Sequence, residues 1–149
     1  MSKIYKISGN FTQDDKWVCQ DCSFEGEIVV AGDKTFYGYC NEVFLKQKSG
    51  KDVVKSIAGV FGPSGKSGKE GISFYKITKE RASSTLMYAV PELGYGKCGT
   101  WGIYRKGQYK PLGQAKVDIE EEVFTLARET RIKDIFNRAY KKLPIAANS

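Results

Sequence analysis

Six times along the chain a glycine stands among apolar residues inside a stretch that otherwise reads as β-strand. The units are Ile7-Ser8-Gly9-Asn10-Phe11, Phe24-Glu25-Gly26-Glu27-Ile28, Phe36-Tyr37-Gly38-Tyr39-Cys40, Ile57-Ala58-Gly59-Val60-Phe61, Trp101-Gly102-Ile103-Tyr104 and Leu112-Gly113-Gln114-Ala115. Glycine normally weakens a strand, because it packs no side chain and loses the most conformational freedom on folding. Its repetition therefore needs a structural reason. The usual one is a sheet bent so tightly that inward side chains would collide, and a closed barrel is such a sheet.

The segments around these glycines are rich in Val, Ile, Phe, Tyr and Thr, alternate with period two and end in turn chemistry. They predict eight strands, at about 3–11, 23–31, 34–44, 53–61, 70–78, 85–91, 97–106 and 109–119. The breaks include Gly32-Asp33, Gly62-Pro63-Ser64-Gly65 and Lys106-Gly107. Most are of hairpin length, so successive strands should pair antiparallel. The predicted fold is mainly β, an eight-stranded antiparallel up-and-down (meander) barrel with a C-terminal amphipathic helix. With 149 residues and 41% hydrophobic content the chain supports one core, so a single domain 1–149 is expected. It divides into a barrel over 1–119, a helix over 120–143 and a tail over 144–149.

The helix rests on a change of period. Val123, Leu126, Ala127, Ile135, Phe136, Ala139, Tyr140 and Leu143 recur at spacings of three and four. Glu120-Glu121-Glu122 suits an N-terminus and Lys141-Lys142 a C-terminus, with Pro144 just beyond. From Asp118 onward six bases balance six acids, so the apolar stripe reads as a packing face rather than a membrane anchor.

Composition narrows the chemistry. The chain has no His, which removes the commonest general base and the Ser-His and Cys-His pairs. Cys, Tyr, Lys and Glu leave room for a His-independent hydrolase or lyase, but no catalytic constellation is visible. No run of apolar residues is long enough to span a membrane, and Met1-Ser2-Lys3-Ile4-Tyr5 is unlike a signal peptide, so a cytoplasmic location is expected. Cys19-Gln20-Asp21-Cys22 has C-x-x-C spacing, yet Cys40 and Cys98 stand alone rather than as a second pair; ordinary thiols and no metal or other cofactor are expected. Gly62 to Glu70 resembles a phosphate loop only superficially. The G-x-x-x-x-G-K-[ST] spacing fails at Val60 and again at Pro63, and the segment that follows is strand-like. Glu25 and Glu27 point the same way from one strand, opposite Phe24 and Ile28, and read as solvated rather than as a catalytic pair.

Matching faces by the strand glycines assigns Phe36, Cys40, Glu42, Tyr75, Cys98, Thr100 and Tyr104 to the barrel interior as candidate ligand contacts. Glu42 either lies past the barrel edge in solvent or needs a buried partner such as Arg, a Tyr hydroxyl or water. The net charge of +7 is uneven: residues 10–33 carry six acids against Lys16, whereas residues 97–116 carry five bases and no acid. In a meander, the loops after the third, fifth and seventh strands share one end. There Lys46, Lys48, Lys51, Lys79, Arg81, Arg105, Lys106 and Lys110 should form a basic rim, partly neutralised by Asp52, Glu80 and the acidic first loop. Trp101-Gly102-Ile103-Tyr104-Arg105-Lys106 mixes aromatic and basic residues, but core aromatics account for most of this content and no nucleic-acid motif is present, so nucleic acid is not expected as a partner.

Strand order, the recurrent strand glycines and the late helix together resemble the calycins, the lipocalin and avidin group of ligand-binding barrels. A G-x-W, which lipocalins carry on their first strand, stands here on the seventh as Gly99-Thr100-Trp101. The resemblance implies a cavity for a small molecule. The expected function is a non-enzymatic, cytosolic barrel that sequesters or carries a small ligand, with the basic rim suiting an anionic one. The alternative is an inhibitor or adaptor, of the kind phages and mobile elements encode, that meets an acidic protein partner through its charged surface.

Overall fold

The computed structural model describes residues 2–12, 22–44, 53–63, 70–77, 84–91, 93 and 98–141. Eight strands follow in chain order: β1 (Lys3–Phe11), β2 (Cys22–Val30), β3 (Thr35–Phe44), β4 (Val53–Pro63), β5 (Glu70–Ile77), β6 (Ser84–Val90), β7 (Gly99–Arg105) and β8 (Gln108–Glu122). Each pairs antiparallel with the next, and β8 returns to β1 from Ile4↔Glu122 to Phe11↔Ala115, closing the barrel. One helix, α1 (Leu126–Lys141), follows. None of the described helices is long and apolar enough to cross a membrane.

The glycines do what the sequence asked of them. A Cβ on Gly38 would lie 2.8 Å from Ile28 Cα and strike the Glu27 carbonyl; one on Gly59 would lie 2.7 Å from Phe74 Cα. Both therefore let adjacent strands cross with backbone almost touching, which is how the sheet coils tightly enough to close. Two hairpins turn on residues with positive φ. Lys34 (70°) ends the β2–β3 connection, where Asp33 accepts from the Thr35 amide at 3.1 Å and hydroxyl at 2.6 Å. These bonds favour the Asp33 carboxylate and lower its pKa. Lys106 (52°) and Gly107 (78°) form the two-residue turn between β7 and β8, the type I′ geometry that matches strand twist.

The interior is a continuous stack of rings. Phe74 lies parallel to Tyr88 at 4.9 Å between centroids, Tyr88 parallel to Trp101 at 5.9 Å, and Phe11 meets Trp101 edge-on at 4.9 Å. Phe24 and Phe36 each reach Phe74, and Phe36 reaches Phe61. The Trp101 indole donates to the Thr12 carbonyl at 2.6 Å, tying β7 to the residue after β1. Among the described residues, these rings meet across the interior, where the sequence led us to expect a cavity.

The helix differs from expectation at its start. Glu120, Glu121 and Glu122 are strand, paired with Lys6, Tyr5 and Ile4, because closing the barrel needs a β8 long enough to run the length of β1. The helix N-cap is Thr125, whose hydroxyl accepts from the Arg128 amide at 3.1 Å. Val123 and Leu126, counted in the apolar stripe, are 72% and 75% exposed, whereas Ile132 and Ile135 are buried. Ile132 packs on Ile4 and Val29, on the outer side of β1 and β2, flanked by Tyr37 and Tyr39 of β3. Ser56 of β4 donates to the Phe136 carbonyl at 2.6 Å. The helix therefore lies against the barrel wall, and Leu143 and the tail lie outside the described residues.

Candidate functional site

Of the residues assigned inward, Phe36, Cys40 and Glu42 are buried on one face of β3, as expected. Glu42 is not past the barrel edge: it is buried and forms a direct ion pair with Lys76 of β5, also buried. The Lys76 ammonium sits 4.8 Å from the ring centroids of both Phe11 and Tyr88, so two aromatic faces supply part of the stabilisation that water would give. Burial pushes the Cys40 thiol up to about 12, keeping it protonated and unreactive, and raises the Tyr88 phenol well above its usual range. Period-two alternation after Ile72 and Phe74 marks Lys76 as inward, a signal the glycine-based assignment passed over.

The remaining inward assignments are corrected. Tyr75 and Tyr104 are 42% and 43% exposed, and Cys98 and Thr100 are exposed as well. Tyr75 shares its face with Gly71, and Tyr104 and Thr100 share theirs with Gly102. Both glycines point outward, where a Cβ would strike the backbone of Pro91 or of Lys110 and Pro111. Glycine marks close approach of a neighbouring strand, not the concave face as such, and β7–β8 carries a register shift at Trp101/Gly102. Of the basic rim, Arg105, Lys106 and Lys110 are exposed on the β7–β8 hairpin. Lys46, Lys48, Lys51, Lys79 and Arg81 lie outside the described residues, as does Cys19.

Two surface depressions bear on binding. The first is a groove of about 340 Å³ between α1 and the wall, lined by Lys6, Glu25, Asn41, Glu122, Arg128 and others. In it Glu27 pairs with Arg131 and accepts from the Tyr39 hydroxyl at 2.6 Å, so Glu27 is held by the helix rather than solvated. Burial and this bond raise the Tyr39 pKa far above that of a free phenol. The second is a hollow of about 330 Å³ at the barrel end opposite the Lys76–Glu42 pair. Tyr5, Val30, Phe61 and Ile119 form its apolar floor, and Lys3 and Lys34 stand at its edge, Lys3 being 3.5 Å from Glu121. Neither floor nor edge was among the residues singled out from sequence. They come from β1, β2, β4, β8 and the β2–β3 connection, and only barrel closure brings them together.

Among the described residues no group of three or more Cys, Asp or Glu is placed to hold a metal ion. The fold and these depressions define a class, an antiparallel up-and-down barrel of eight strands with a helix on its wall. No protein-family description, curated protein or solved structure matches this chain.

Proposed function

We propose that the protein is a non-catalytic, calycin-like binding barrel whose small ligand sits in the hollow at the barrel end, above the ring stack rather than within it. The observation that carries this reading is the pairing of an apolar floor (Tyr5, Val30, Phe61, Ile119) with two cationic side chains, Lys3 and Lys34, at one edge. Pockets that bind small molecules are concave, mostly apolar and hold a few polar groups that orient the ligand; about 330 Å³ lies at the small end of their range. The chemistry favours a compact anionic amphiphile, with its apolar body on Phe61 and Tyr5 and its charge toward the lysines.

Titration with anilinonaphthalene sulfonate, an apolar anion that fluoresces when shielded from water, tests this. One equivalent should bind, decanoate should displace it, Lys3→Glu/Lys34→Glu should weaken binding with little change in melting temperature, and Val30→Phe, at a buried position, should weaken binding while also lowering stability by about 1–3 kcal/mol. Absence of saturable binding, or binding indifferent to all these substitutions, would refute the site.

A further inference from the structure

We infer that the outer face of β5–β8, ending in the β7–β8 hairpin, binds single-stranded nucleic acid. The inference goes beyond the ligand site and does not depend on it. Residues 104–111 are all exposed. Tyr104 and Tyr109 stand directly opposite each other across the hairpin, 43% and 40% exposed. The next outward row runs Tyr75, Met87, Gly102 and Pro111, with Tyr75 42% exposed. Gly102 carries no side chain, so β7 adds no bulk to the second row. The Tyr109 hydroxyl lies 3.4 Å from Thr100 Oγ1, steadying that ring on the sheet.

Half of a strand's side chains must face inward, which accounts for Tyr88 and Trp101 but not for these three tyrosines. Rings left about two-fifths exposed contribute less to folding than core rings do, and their outer faces remain open to a partner. On the same hairpin Lys106 sits in the turn, and Arg105 and Lys110 alternate onto the face opposite the two rings, so the cations gather at the tip and rim of a ribbon exposed throughout residues 104–111; residues 97–116 contain no acid. Exposed rings on a hairpin with a cationic tip fit one chemistry best: unpaired bases stack on the rings while phosphates meet the cations. A duplex hides its base faces and so forfeits the rings, and an acidic peptide uses the cations alone.

Fluorescence anisotropy of the full chain with labelled oligothymidylate and oligouridylate tests the proposal, with duplex DNA and polyglutamate as competitors. The single strands should bind. If all three cations meet phosphates, log affinity should fall with log salt at a slope of about −2. Tyr104→Ala and Tyr109→Ala should each weaken binding about tenfold, and Tyr104→Phe should restore it, since stacking needs the ring and not the hydroxyl. Arg105→Gln/Lys106→Gln/Lys110→Gln should bring the salt slope toward zero. Melting temperatures of Tyr104→Phe and of the cation variants should match the parent, and the two alanine variants should remain folded at the assay temperature. Three results would overturn the proposal: no binding of either oligonucleotide, affinity unmoved by loss of the rings, or polyglutamate competing as well as the single strand, which would assign the face to an acidic protein.

Discussion

At Gly38 and Gly59 the wall of the barrel is one backbone thick, with no space for a side chain between strands. We predict that Gly38→Val and Gly59→Val each cost about 3 kcal/mol or more, because neither the Glu27–Ile28 backbone nor that of Ser73–Phe74 can retreat without opening the sheet. Gly62→Ala is the control, since a Cβ there meets nothing within 4 Å. Thermal melts should separate them by roughly 10 °C. Lys76→Met, which leaves Glu42 buried alone, should cost about 3–5 kcal/mol, whereas Lys76→Met/Glu42→Leu should recover most of the loss. A double-mutant cycle by urea unfolding reads this directly; equal losses from the single and double variants would deny the pairing. Cys40 gives a pH dependence. Its thiol ionises near 9.0 when unfolded and near 12 when buried, so the unfolded chain gives up its proton first. Stability should therefore hold below about pH 9 and fall as pH rises toward 12, by up to about 1.4 kcal/mol per pH unit from this group. Cys40→Ala should flatten that slope even if its baseline stability is lower. Residue-scale reading succeeded on β3, where period and glycine agree on the inward face. It failed at Tyr75, Thr100 and Tyr104, where the glycine sits on the outer face to admit a neighbouring backbone, a condition set by strands far away in sequence.

Among the elements, α1 is the one whose placement decides the shape of the surface. Its docking rests on Ile132, buried between Ile4 and Val29, and on the Ser56 bond to Phe136. Ile132→Ala should lower stability by about 2–4 kcal/mol, as expected for a large-to-small change in a packed site, while Leu126→Ala, at an exposed position, should stay within about 0.5 kcal/mol. Denaturant melts of the two variants check this, and equal effects would mean the helix does not dock through that face. The existence and amphipathic character of the helix are local properties and were legible from spacing. Its first residue was not. An acidic triplet suits a helix N-terminus and also suits a strand whose partner is Lys6, and only the closure of β8 on β1 decides between them. The strands themselves were legible to within about two residues, the end of β8 excepted, because turn chemistry and period two bracket most of them, and hairpin-length breaks leave a meander as the simplest order.

For the whole molecule, what could not be read from the chain is whether the barrel encloses a space. Period two says which residues point in, but the volume left over depends on how rings from opposite walls meet, as Phe74, Tyr88 and Trp101 do in parallel. The hollow at one end and the tyrosine face outside follow from the same closure. The proposed binding surfaces lie at the end and on the outside of a barrel whose described interior side chains are rings in mutual contact. A crystal structure under xenon pressure tests this most directly, because xenon enters dry apolar space of sufficient size and little else. We predict xenon, if bound, in the hollow floored by Tyr5, Val30 and Phe61, and none among Phe24, Phe36 and Phe74. A well-occupied xenon site inside that ring cluster would contradict the account and return the interior as the place where a ligand is held.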